Sequence, residues 1–216
     1  MNHVFQPLVS LATGKTVAYE ALARPANGTP PDQLWREARV RAADEPYQNS
    51  LVRLEIDSWF SAVREARRRG YRRIFVNTVP AAVFDARFRR FLARVLRWSR
   101  RRRLMAVPEL VENQGASPNT ILAAVAALRR IGFRVMSLDD ADDGMPLRVI
   151  TGARTAYVKL GRRYMEEQPG VWASIAAAVQ SYGGVVVAEA LETPEHAAAA
   201  KTLGANLGQG WLWGKT

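Results

Sequence analysis

Residues 73–110 read RIFVNTVPAAVFDARFRRFLARVLRWSRRRRLMAVPEL. Arg73 to Asn77 is a short apolar run of buried-strand type, and Leu104 to Leu110 is another. Between them Pro80 to Arg103 carries Phe84, Phe88, Phe91 and Leu92, which predicts one helix with an apolar stripe. Strand, helix and strand in immediate succession make a βαβ unit, whose two strands run parallel.

The same unit recurs toward the C-terminus. Ser117-Pro118 supplies an N-cap and first-turn proline for a helix that ends at Gly132. Phe133 to Leu138 and Tyr157 to Leu160 read as strands with a short helical or irregular link between them. Pro169 to Tyr182 is a helix stopped by Gly183-Gly184, and Val185 to Glu189 is a strand. Thr193-Pro194 caps a helix that stops at Gly204, and Leu207 to Leu212 is the last strand. Toward the N-terminus the pattern changes. Val4 to Ser10 and Val17 to Arg24 are joined by Ala12-Thr13-Gly14-Lys15, too short for anything but an antiparallel hairpin. Two helices follow, from Pro30-Pro31 toward Ala43 and from about Tyr47 to Arg69, the second with Leu51, Leu54, Trp59 and Val63 near one stripe.

Eight strands, the last six alternating with helices, predict an α/β fold closed as a (β/α)8 TIM-type barrel with an antiparallel first strand. An open doubly wound sheet is the alternative, but the glycine-rich phosphate loop it places after its first strand is missing. The 216 residues, 48% apolar and 24% charged, suit one domain over 1–216. No apolar stretch is long enough for a membrane span and no signal peptide opens the chain, so a cytoplasmic protein is expected.

Composition excludes several chemistries. There is no cysteine, hence no disulfide, thiolate site or cysteine nucleophile. The two histidines are expected to be idle, His3 at a frayed terminus and His196 on a helix surface, which leaves nothing for a Ser-His-Asp triad or a His-rich zinc site. Any metal must be a hard one held by oxygen. The net charge of +11 draws in small anions. A nucleic acid polymer is set aside, because Arg67 to Arg69 and Arg97 to Arg103 fall where solvated outer helix faces belong.

Parallel-barrel enzymes place their chemistry at the C-terminal ends of the strands. Here those ends deliver Glu20 and Arg24, Asn77, Glu109, Asp139-Asp140, Lys159, Glu189 and Gln209 in turn. Five carboxylates at one mouth repel each other unless a cation joins them. Oxygen ligands with one amide favour Mg²⁺ or Mn²⁺, and Asp139 with Asp140 could bridge a metal pair.

These residues lie in a recognisable order. Tyr19-Glu20-Ala21-Leu22-Ala23-Arg24 resembles the signature that names the EAL domain family, the cyclic di-GMP-specific phosphodiesterases. Gln6-Pro7-Leu8-Val9, Phe75-Val76-Asn77, Glu109-Leu110-Val111-Glu112, Leu138-Asp139-Asp140, Val158-Lys159-Leu160, Ala188-Glu189-Ala190-Leu191-Glu192-Thr193 and Gly208-Gln209-Gly210-Trp211 resemble its further motifs, nearly end to end. The resemblance implies hydrolysis of cyclic di-GMP to linear pGpG with Mg²⁺ or Mn²⁺, two ions in all. It implies Glu20, Asn77, Glu109 and Asp139 as ligands of the first ion, with Asp139 and Asp140 serving the second. Lys159 would orient the attacking water, Glu189 would hold it, and Glu112 would brace the loop after Asp140. Gln6, Leu22, Arg24, Glu192 and Gln209 would line the ligand, Arg24 as a two-point phosphate grip.

Three departures stand out. Ala141-Asp142-Asp143-Gly144 replaces the family's Phe-Gly-Thr-Gly, Gly161 stands where an aspartate is usual, and the chain stops near the last strand without the family's closing helix. The altered loop implies a weakened second metal and a weak homodimer. It also keeps open a second function, a non-catalytic receptor for cyclic di-GMP or a protein-interaction module.

Overall fold

The protein is described by a computed structural model over residues 1–44, 49–111, 116–139 and 145–214. Strands β1 (Asn2–Ser10) and β2 (Thr16–Arg24) form the hairpin, with Gly14 at φ +68° in its turn. The β-branched and aromatic runs that follow give β3 (Arg73–Thr78), β4 (Met105–Val111), β5 (Ser137–Asp139), β6 (Tyr157–Gly161), β7 (Val185–Glu189) and β8 (Leu207–Gly208). Each strand pairs with the next and β8 closes on β1, a closed eight-stranded barrel. Only β1 is antiparallel to its neighbours β2 and β8; every other pair is parallel. Helices α1 (Pro31–Asp44), α2 (Asn49–Arg68), α3 (Ala86–Arg101), α4 (Pro118–Ile131), α5 (Leu147–Ala153), α6 (Arg162–Glu167), α7 (Pro169–Ser181) and α8 (Pro194–Thr202) connect them. Among the described residues no helix is long and apolar enough to cross a membrane.

Four details differ from the sequence expectation. The helix expected over Pro80 to Arg103 breaks at Asp85, leaving a 3-10 turn (Pro80–Phe84) before α3. Asp85 is extended, and its carboxylate accepts from the backbone of Arg87 and Phe88, an N-cap that starts a new helix. β5 begins at Ser137 rather than Phe133, because Gly132 is left-handed and the next residues are still returning to the barrel. The residues after Gly161 form α6, which the sequence pattern did not predict. β8 stops at Gly208 rather than Leu212. The chain passes so close to Leu191 that a Cβ on Gly210 would collide with its backbone, and Leu212 N–H bonds to Leu191 O instead of extending a ladder.

His3 is also not frayed. It is 8% exposed, and its ring nitrogens lie 3.3 Å from the hydroxyls of Ser58 and Ser61 on α2. Burial and the nearby N-terminal amine push its pKa down to about 4, so it is neutral. His196 is half-buried, with its ring 3.2 Å from the Arg162 guanidinium.

Alternate residues of a strand face the same side. Inside the barrel those residues form an apolar plug: Leu8, Ala18, Phe75, Val107, Tyr157, Val187 and Leu207. Phe75 and Tyr157 meet edge to face at 4.9 Å between centroids. The outward residues pack against the helices, as Trp59 of α2 does, fully buried and donating to Thr78 Oγ1 at 3.1 Å. The plug closes the barrel from below and gives whatever lies above it a dry floor.

Candidate active site

Two residues further along the strands, on the same inward face, apolar gives way to polar. Phe75 is followed by Asn77, Val107 by Glu109, Tyr157 by Lys159 and Val187 by Glu189, while on β5 Asp139 follows Ser137, which is already polar. On the hairpin, Ala18 is followed by Glu20, and Gln6 lies opposite Glu20 in register. Seven strands thus raise one polar layer on the plug, and Gln209, just past the end of β8, joins it.

Lys159 sits at its centre with a side chain 1% exposed. Its ammonium lies 2.9 Å from Glu20 Oε2, 2.9 Å from Glu189 Oε1, 3.3 Å from Glu109 Oε2 and 3.3 Å from Asp139 Oδ1. One cation thus faces four carboxylates in a low-dielectric pocket. Burial disfavours the ammonium, but Asp139, Glu109, Glu189 and Glu20 together hold its pKa well above the lysine value. The carboxylates do not share it equally. Glu20 is buried yet held below the usual range by Lys159 and by hydrogen bonds from Lys159, Gln209 (2.6 Å) and Asn77 (2.8 Å). Glu109 is buried without a hydrogen bond; desolvation and the charges of Glu20, Asp139 and Glu189 push it well up against the pull of Lys159. Burial, with Asp139 and Glu20, raises Glu189 in the same way.

Several oxygens in this layer are buried and lack a hydrogen-bond donor: Asn77 Oδ1, both oxygens of Glu109 and Asp139 Oδ1. Buried oxygens without donors are costly, and oxygen-only donors suit a hard divalent cation. The donor chemistry therefore fits such an ion. Among the described residues, however, no three acidic or histidine side chains stand as a ready ligand set around one point, because Lys159 takes the centre.

Of the residues singled out in the sequence, Glu20, Asn77, Glu109, Asp139, Lys159, Glu189, Gln6 and Gln209 come together in this layer; Gln209 Nε2 also donates to Gln6 Oε1 at 2.8 Å. Leu22 and Arg24 do not touch the carboxylates. They line a cavity of about 210 Å³ on the β2–β3 side, with Asn77 in its wall, and Arg24 Nη1 donates to Ala23 O at 2.9 Å. Glu192 is on the opposite side, in a cavity of about 410 Å³ shared with Gln6, Glu189 and Gln209, and lies 3.6 Å from Arg162. Asp140, Glu112 and the loop 141–144 fall outside the described residues.

Sequence reasoning missed Glu55 of α2, which lines the first cavity. It is 1% exposed; Trp35 Nε1 donates to Oε1 at 2.6 Å and Val79 N–H to Oε2 at 3.3 Å. Burial pushes its pKa up to about 7 against those hydrogen bonds. The signal was present: Glu55 interrupts the apolar stripe of Leu51, Val52, Trp59 and Ala62 on α2. Trp211, which lines the second cavity, was read only as part of a motif.

A family model described as EAL domain matches residues 1–216. A curated relative, the probable cyclic di-GMP phosphodiesterase PdeB of Escherichia coli (strain K12), is 24% identical over 98% of this chain; the chain spans 42% of that protein's length. Among solved structures, the calcium and cy-diGMP complex of Klebsiella pneumoniae BlrP1 superposes with a TM-score of 0.76 at 21% identity, covering 98% of this chain and 54% of that one. The c-di-GMP complex of the PaMucR phosphodiesterase gives a TM-score of 0.76 at 21% identity, over 99% and 95%. The EAL domain of Mycobacterium smegmatis DcpA gives a TM-score of 0.66 at 20% identity, over 100% and 90%.

Proposed function

This chain belongs to the EAL domain family, and from that premise we propose that it hydrolyses cyclic di-GMP to linear pGpG at the carboxylate layer. The observation that carries the reading is Lys159, fully buried among four carboxylates on an apolar floor. Packing alone does not ask for such a layer, since apolar residues of like size at those positions would be at least as stable. Mg²⁺ or Mn²⁺ would be held by Glu20, Asn77, Glu109 and Asp139, with Asp139 and Asp140 serving a second ion. The chemistry such ions supply is Lewis-acid activation of water and neutralisation of phosphoryl charge.

The chain's own residues do the rest. Lys159 fixes the position of the attacking water and offsets the charge that develops on the phosphoryl oxygens. Glu189, 2.9 Å from Lys159 and raised in pKa, holds that water and is suited to take its proton. Glu20 is braced by Asn77, Gln209 and Lys159 and so is fixed before ligand arrives. The role the resemblance gives Glu112, bracing the loop after Asp140, falls on residues outside those described. Leu22 and Arg24 on one side, and Gln6, Glu192 and Gln209 on the other, give each half of a two-base ligand its own cavity, with Arg24 gripping a phosphate oxygen pair.

A second reading, a cytoplasmic receptor that binds cyclic di-GMP without turnover, is favoured by one observation: the four carboxylates close onto the Lys159 ammonium, and among the described residues no three acidic or histidine groups are set to hold an ion. The test is product formation with Mg²⁺ or Mn²⁺ in the wild type and in Glu20→Ala. Cleavage that requires the ion and vanishes in Glu20→Ala supports the hydrolase. Ligand binding in Ca²⁺ with no pGpG in any divalent ion makes the chain a receptor, and equal turnover in excess chelator removes the metal from the reading.

A further inference from the structure

The arginines of α3 are not scattered over its solvent side. Arg87, Arg90, Arg94, Arg97 and Arg101 recur at steps of three and four residues, all exposed, and so form one line along the helix. At 1.5 Å per residue the line is about 21 Å long. Arg87 at its head pairs with Asp85 at 2.8 Å. Among the described residues Arg90, Arg94, Arg97 and Arg101 have no carboxylate within ion-pairing distance, and the sequence has no acidic residue between Asp85 and Glu109. Beyond the end of the helix the positive surface continues in a cavity of about 340 Å³ rimmed by Arg72, Arg100, Arg103 and Arg134.

Helix stability does not explain this line. Like charges three and four residues apart repel along its whole length. Arg87, Arg89 and Arg90 also lie near the N-terminus of α3, where the helix dipole disfavours cations. A solvated face built for stability would mix signs. The features that select other partners are missing as well. None of the exposed large hydrophobic residues belongs to α3: Phe84 precedes the line and Met105, in the wall of the cavity, follows it, so the line itself carries no side chain to insert into a bilayer and no apolar anchor for a peptide. Within α3, Phe88 is buried, Phe91 and Trp98 are half-buried, and Arg102 covers the Trp98 ring at 4.4 Å, which leaves no free aromatic face on the helix itself for unpaired bases.

Arg97 and Arg101, expected from sequence to lie on a solvated helix face with no nucleic acid partner, belong to this line, and against that expectation we propose that the α3 arginine line is a sequence-independent docking surface for the phosphate backbone of a nucleic acid duplex. Each arginine that meets a phosphate releases counterions, so the salt dependence of binding counts the contacts. The experiment follows a labelled mixed-sequence DNA duplex of about 30 base pairs by fluorescence anisotropy between about 50 and 200 mM NaCl. Four uncompensated arginines give a slope of log K against log salt of about −3.6. The triple variant R90A/R94A/R97A should bind about tenfold or more weakly and flatten the slope by about 2.7. The control R36A/R148A/R163A removes the same charge from exposed positions of α1, α5 and α6 and should keep the slope. Unchanged far-UV melting shows that both triples are folded. Equal flattening by the two triples would mean that net charge alone acts, and it overturns the proposal. So does absence of binding at the lowest salt. Tighter binding to phosphatidylglycerol vesicles than to duplex at the same salt, lost in the first triple, makes the surface a membrane contact instead.

Discussion

The plug and the layer above it are built from the same inward positions of the same strands, two residues apart, and they obey opposite rules. In the plug, Phe75, Val107, Tyr157 and Val187 fill space, and the cost of a change is set by the volume removed. In the layer, Asn77, Glu109, Lys159 and Glu189 satisfy one another incompletely, and the cost is set by charge and by what else is bound. The difference is chemical rather than topological, since one barrel geometry presents both. It teaches that stability and binding should separate cleanly here: plug variants should ignore divalent cations and layer variants should respond to them.

The largest effect should come from Phe75→Ala, which empties a fully buried ring from the plug. We expect a loss of about 3–5 kcal/mol in urea unfolding, the same with or without Mg²⁺. A cation-dependent loss would break the distinction. Lys159→Met comes next. Among the described residues it deletes the only ammonium facing Glu20, Glu109, Asp139 and Glu189, and it should cost about 3 kcal/mol in chelator. Millimolar Mg²⁺ should restore most of this in Lys159→Met and none of it in Phe75→Ala. If Lys159→Met is as stable as wild type in chelator, the layer is not held by that charge.

Glu55 sharpens the boundary, because it is a layer-type residue placed outside the layer. Its folded pKa is raised from 4.5 to about 7. The unfolded chain therefore ionises first as pH rises, so the stability linked to Glu55 is fully present below about 4.5 and lost by about 7. A shift of that size corresponds to an effect on the order of 3 kcal/mol. Unfolding free energies from pH 5 to 8 should show this fall in wild type and a flatter profile in Glu55→Gln. Glu109 and Glu189 are raised too and add to the alkaline loss, whereas Glu20 is lowered and contributes stability that disappears on acidification. A parallel profile in Glu55→Gln would assign the whole fall to the layer.

How much of this could be read beforehand follows from what each feature depends on. The barrel was legible because strand and helix periods are local, and the hairpin because four residues can turn only one way. The strand-end polar residues were legible for the same reason: fold geometry brings every C-terminal end to one mouth. What the sequence hid was non-local. The early end of β8 depends on Gly210 meeting Leu191, nineteen positions away in sequence by their numbers. Glu55 reaches its cavity from α2, and no strand pattern points to it. Lys159 was read as one charge among several, while its place at the centre depends on four other strands. The arginines of α3 were legible as a line from their spacing on the expected helix, but their lack of carboxylate partners depends on which elements pack nearby.

The smallest expected effect tests a point where the backbone itself carries the layer. Ala190 follows Glu189 and sits at φ +55°, one of three described non-glycine residues with positive φ. A left-handed alanine is strained by roughly 1–2 kcal/mol, because its Cβ crowds the following carbonyl. Glycine removes that strain but adds unfolded-state freedom worth about 0.5–1 kcal/mol. The first term is larger, so Ala190→Gly should stabilise the protein by about 0.5–1 kcal/mol in urea unfolding. The alanine is tolerated because the turn is fixed from both sides. Leu191 N–H bonds to Gln209 O, Gln209 N–H bonds to Ala188 O, and Glu189 remains 2.9 Å from Lys159. If the turn is that well determined, Ala190→Gly should leave the divalent-cation response of the layer unchanged while raising stability. A stabilised protein with a weaker Mg²⁺ response would show instead that the strained alanine aims Glu189 at the layer. A destabilised one would show that φ at this position is not strained in solution.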